Sequence, residues 1–102
     1  MIFHITSQHN WKTCEGSKAA KGENVPPRSE RQTWLEGNDK VKVIGAYGYQ
    51  TQHRYYDVVE ADDYADVHAL FSGAGHIRNG EVEVLPVNDL IANRKSYGEW
   101  GK

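Results

Sequence analysis

The chain has 102 residues, is 38% hydrophobic and 25% charged, and carries 12 basic against 14 acidic residues for a formal charge of −2. That length fits one domain over 1–102, and the charge balance excludes the basic footprint of a nucleic-acid binder. No apolar run approaches the ~20 residues that cross a bilayer.

Residues 1–7, MIFHITS, alternate apolar and polar side chains and predict a strand. Residues 12–28, KTCEGSKAAKGENVPPR, are polar, with two glycines and a Pro-Pro pair, and read as a long loop with a helical turn around 18–21. A loop of that length in a compact domain suits a lid or a binding loop. Ser29-Glu30-Arg31-Gln32 has the form of a capping box and predicts a short helix burying Trp34 and Leu35, ended by Gly37 and Asn38. Residues 41–50, VKVIGAYGYQ, and 53–60, HRYYDVVE, predict two strands joined by a hairpin turn at Thr51-Gln52. Asp62 or Asp63 caps a second helix whose inward stripe is Tyr64, Val67, Leu70, Phe71 and Ala74. Asn79-Gly80 is a turn, and 81–87, EVEVLPV, is the fourth strand. Asn88 or Asp89 then caps a short last helix, followed by a tail over 95–102 that is expected to be loosely ordered unless Tyr97 and Trp100 dock on a partner.

The order β-α-β-β-α-β predicts an α+β fold: a four-stranded antiparallel sheet with both helices on one face. The opening strand MIFHIT, the hairpin VIGAYGYQTQHRYYDVVEADD and the closing strand EVEVLPV carry a resemblance to the ferredoxin-like sandwich. More narrowly, the chain resembles the dimeric α+β barrel superfamily, which includes muconolactone-isomerase-like enzymes and small antibiotic-biosynthesis-type monooxygenases. The resemblance covers most of the chain outside 12–28. It implies a homodimer in which two sheets face one another. Physics asks for the same pairing, because a sheet with helices on one side leaves its other face to be polar or covered.

Alternation sorts each strand into two faces. Phe3 and Ile5, Ile44 and Ala46, Tyr56 and Val58, and Val82 and Val84 are expected under the helices. The second face then collects His4, Tyr47, Tyr49, His53, Tyr55, Asp57 and Glu83. Imidazole, phenol and carboxylate groups in one walled chamber are what acid–base chemistry on a small organic molecule needs. The expected roles are proton transfer by His4 and His53, with Asp57 orienting an imidazole. Tyr47, Tyr49, Tyr55, Glu83 and Trp11 would hold the substrate. The reaction class would be that of an isomerase, a lyase or a cofactor-free monooxygenase. A self-assembly module without catalysis is the alternative from another class.

One cysteine cannot form an internal disulfide, and no charged region followed by an apolar stretch marks a secretory signal, so a cytoplasmic protein is expected. His4-x4-His9-x4-Cys14 is not a standard zinc spacing. No cofactor is called for by the residues. The metal alternative is a divalent transition ion on His4, His9 and His53, or on two histidines with Asp57 or Glu83. It requires the chain to fold back after the first strand, or His53 to join from the hairpin. Cys14 lacks a local base in sequence, and His68 and His76 are expected on the surface or flank of the second helix.

Overall fold

A computed structural model describes residues 1–102. Four strands form one antiparallel sheet in the order β2-β3-β1-β4: β1 (Ile2–His9), β2 (Val41–Tyr49), β3 (Arg54–Ala61) and β4 (Gly80–Val87). β1 is central and pairs with both β3 and β4. The helices are α1 (Glu15–Ala20), α2 (Arg28–Arg31), α3 (Tyr64–Gly73), α4 (His76–Asn79) and α5 (Leu90–Ser96). The predicted antiparallel α+β architecture is therefore present, with all four strands within two residues of their expected bounds.

The first crossover differs from expectation. It is not one helix opened by a capping box. α2 starts at Arg28 behind Pro27, no side chain caps it, and a 3₁₀ turn over Thr33–Glu36 follows. Pro27 takes the N-cap place with its φ held at −57°, so the helix starts two residues earlier than a Ser29 cap would set it. Gly37, at φ 70°, ends this segment, and a methyl group there would overlap the Val41 carbonyl. The 12–28 loop also contains a full short helix, α1, where only a turn was expected. The caps of the later helices follow the sequence: Asp63 accepts from the Ala65 amide and Asp89 from the Ala92 amide.

Only eight apolar residues are buried: Phe3, Ile5, Trp34, Val41, Val59, Ala61, Val67 and Phe71. They join the inner face of the sheet to α3 and to the Thr33–Glu36 turn. Two strands place residues contrary to the predicted alternation. β2 carries a bulge at Ile44, between the pairs Val43–Val59 and Gly45–Val58. The extra residue lets Val43 and Ala46 both pack inward, and it turns Ile44 outward to 52% exposure. β3 is inverted along its whole length. Asp57, Val59 and Ala61 face the helices, and Tyr56 and Val58 take the other face. The cause is one residue of phase: the hairpin absorbs His53 into its turn, and a shift by one moves every side chain across the sheet.

The outer face carries Ile2, His4 and Thr6 of β1, Tyr47 and Tyr49 of β2, and Glu83 and Leu85 of β4. None of these is buried, and Tyr47 is 67% exposed. Every residue of α5 is exposed as well, including Leu90 and Ile91. The radius of gyration is 16.0 Å, against ~13 Å for a compact domain of this length. The C-terminal segment accordingly stands off the body as an arm. No helix is long and apolar enough to cross a membrane.

Candidate functional site

A cleft of about 580 Å³ opens on the helix side of the sheet, between the ends of β1 and β2 and the segments α1, α2 and α4. Alternation along β1 sends Ser7 and His9 to this side, in phase with Phe3 and Ile5. Cys14, Arg31, Tyr55 and His76 complete the part of the wall that carries chemistry.

The chain folds back sharply after β1. The Asn10 side chain accepts from the amides of Lys12 and Thr13, and the Asn10 carbonyl accepts from the Cys14 amide at 2.9 Å. This closed loop returns Cys14 to the end of the strand it has just left. On the other side the His9 amide donates to the His53 carbonyl at 3.0 Å. His53 sits in the left-handed region at φ 54°, the single residue other than glycine with positive φ. The ligand atoms of His9, Cys14 and His53 consequently lie within 4.8 Å of one another. The His9 and His53 rings meet edge-on at 5.1 Å, and Tyr55 lies against His9 at 5.7 Å.

Burial sets the protonation of this region. Burial and the neighbouring His53 hold His9 below the usual imidazole range, against the pull of Glu15. Burial alone would raise the Cys14 thiol. Hydrogen bonds from the Ser17 amide and hydroxyl and the Gly16 amide, with the Arg31 charge, outweigh it and lower the thiol. Burial, with the charges of Cys14 and Asp57 beside it, pushes the Tyr55 phenol up. His76 is boxed by Trp34 at 4.8 Å, Phe71 at 5.3 Å and Tyr55 at 5.5 Å, and burial, with a contribution from His9, lowers it to about 4. It is therefore neutral at pH 7, and it is a member of the aromatic core rather than the flank residue its position after α3 suggested.

Three buried polar atoms on this wall have no hydrogen-bond partner: Ser7 Oγ, Arg31 Nε and His76 Nδ1. An unpartnered buried polar group costs about 1–3 kcal/mol. Arg31 Nε lies 3.9 Å from the Glu15 carboxylate, too far for a hydrogen bond. Arg28 and Arg31 together outnumber Glu15, the one acid in the wall, so the cleft is net cationic.

The residues expected to form one chamber are divided between two faces. His4, Tyr47, Tyr49 and Glu83 belong to the outer face. Tyr55 reaches the helix-side cleft, and Tyr47 borders it as well. Asp57, expected beside an imidazole on the outer face, is instead fully buried beneath the helices, and neither carboxylate oxygen has a hydrogen-bond partner. Burial pushes it up to about 7. Trp11 stands exposed, with the Lys21 ammonium 4.4 Å above its ring. Of the three histidines considered as metal ligands, His9 and His53 meet. His4 points to the opposite face, and Cys14 takes its place. Ser7, Arg28, Arg31 and His76 were not anticipated as site residues. Only Ser7 left a legible signal, the inward phase it shares with Phe3 and Ile5.

No family model matches the chain, and no curated protein matches it. The fold and the site define a small α+β domain with a cationic, histidine-bearing cleft at one end of an antiparallel sheet.

Proposed function

We propose that this chain binds a small organic anion in the helix-side cleft and acts on it by proton transfer at His76. The observation that carries the reading is the set of three buried, unpartnered polar atoms on one wall: Ser7 Oγ, Arg31 Nε and His76 Nδ1. A carboxylate seated there would accept from Arg31 and Ser7 and restore the hydrogen bonds each lost on burial. A neutral imidazole held in an apolar box is in the form that takes up a proton from the bound molecule, and a bound carboxylate's charge would strengthen its hold on that proton. Proton transfer thus stays with histidine, as the sequence led one to expect, but moves from His4 and His53 to His76.

The test uses benzoate and succinate as probes, followed by amide chemical shifts. The expected result is perturbation around Ser7, Arg31 and His76, with affinity falling at least 10-fold in Arg31→Gln and unchanged in His4→Ala. Shifts confined to the outer face, or full affinity in Arg31→Gln, would refute the reading.

The same proposal includes a ferredoxin-like homodimer of the α+β barrel type. The strand order β2-β3-β1-β4 supports it. So does the outer face, where Ile44, Tyr47, Tyr49 and Leu85 leave apolar area uncovered. The exposed arm bearing Leu90, Ile91, Tyr97 and Trp100 gives a second apolar surface for the partner to cover. Light scattering is expected to give twice the chain mass of 11.5 kDa. Leu85→Glu, placed on the exposed face where folding does not need it, should return the mass to that of one chain. A wild-type chain monomeric at micromolar concentration removes the dimer and leaves the cleft proposal standing.

A further inference from the structure

We infer that His9, Cys14 and His53 form a transition-metal site of the zinc or cobalt class, with one coordination position open to the cleft. This goes beyond the anion-binding reading, since the three ligands hold a metal whether or not the cleft takes a carboxylate.

Three separate elements deliver the ligands to one point. His9 ends β1, Cys14 precedes α1, and His53 sits at the β2–β3 turn. Their ligand atoms lie within 4.8 Å of one another. A four-coordinate ion with bonds of about 2.0–2.3 Å needs its ligands roughly 3.4–3.6 Å apart. The set must therefore contract by about 1 Å at its widest. The backbone is already fixed for it by the Asn10 turn and by the His9–His53 hydrogen bond.

The donor set selects the metal. Two imidazoles and a thiolate suit borderline and soft transition ions and exclude magnesium and calcium, which take oxygen. Both donor types bind in forms that carry no proton on the ligating atom, a neutral imidazole and a thiolate. A nucleophilic cysteine served by one histidine would need only His9, and would leave unexplained why the hairpin turns His53 into the same point with a left-handed backbone. His9 and Cys14 line the cleft, so an ion they hold borders that space. Three protein ligands with one position free is the arrangement of a catalytic rather than a structural centre.

Cobalt(II) titrated into untagged, chelator-treated protein tests this. The expected result is one equivalent bound, with visible bands of a tetrahedral ion and a near-ultraviolet thiolate-to-cobalt band. Cys14→Ser should lose the thiolate band. His9→Gln and His53→Gln should each weaken binding at least 10-fold, and His4→Gln, on the opposite face, should leave it unchanged. A thermal melt of each metal-free variant shows that it still folds. No tetrahedral spectrum, or a thiolate band that survives Cys14→Ser, would overturn the site. Loss of benzoate binding with cobalt binding intact would strike only the anion reading.

Discussion

Between pH 4 and pH 7, with metal removed by chelator, Asp57→Asn is expected to lose about 3 kcal/mol of stability on acidification, while His76→Gln loses about 3 kcal/mol as pH rises. The wild-type chain should stay nearly level, because the two effects oppose one another. Asp57 is raised from 3.8 to about 7 in the folded state, so across that range the native chain holds a proton that the unfolded chain has released. Stability falls with pH wherever the native state binds more protons. His76 is lowered from 6.5 to about 4, so there the unfolded chain holds the extra proton, and stability rises with pH up to about 6.5. His9, lowered in the same direction, adds to the histidine side. Removing either partner leaves the other's slope uncovered. Urea midpoints collected at unit pH intervals measure both. Parallel profiles for the wild type and the two variants would mean that neither group is perturbed as its burial requires.

Trp34→Ala is expected to cost about 3–5 kcal/mol, a large share of the 5–15 kcal/mol that holds a typical domain together. Trp34 is 7% exposed and is the hub of the aromatic cluster, packing on Phe71, His76 and Tyr55 at centroid distances of 5.5, 4.8 and 6.1 Å. With so few buried apolar side chains, no neighbouring layer can collapse into the space it leaves. It also forms part of the cleft wall, so its loss widens the cleft on the side where His76 is boxed. Trp34→Phe, which keeps a ring in place, should cost less than half as much. Urea unfolding followed by circular dichroism checks both. A Trp34→Ala cost under 1 kcal/mol would mean that this cluster does not bind the helix layer to the sheet.

The site was harder to read than the fold because its parts depend on single residues of phase. Alternation in MIFHITS correctly sent Phe3 and Ile5 inward, and the same alternation in EVEVLPV sent Val82 and Val84 inward. In the central hairpin it failed twice. The bulge at Ile44 has no mark in the sequence, since Val43, Ile44 and Ala46 are all acceptable core residues. Whether His53 belonged to the strand or to the turn decided the face of Tyr55 and Asp57, and the turn lacked the Asn-Gly pair that would have fixed it. Arg31 and His76 reach the cleft through short helices whose docking no local pattern records.

By itself the sequence determined the number, order along the chain and approximate ends of the strands, the antiparallel α+β class, and the two candidates for each later helix cap, of which the structure uses Asp63 and Asp89. Those follow from side-chain period and from hydrogen bonds made within a few residues, which any chain carries with it. Only the tertiary structure decided that His9, Cys14 and His53 meet while His4 turns away, and that the unpartnered polar atoms share one wall. Such meetings depend on where a strand ends and how a loop returns, and a shift of one residue in a sheet sends a side chain to the opposite side.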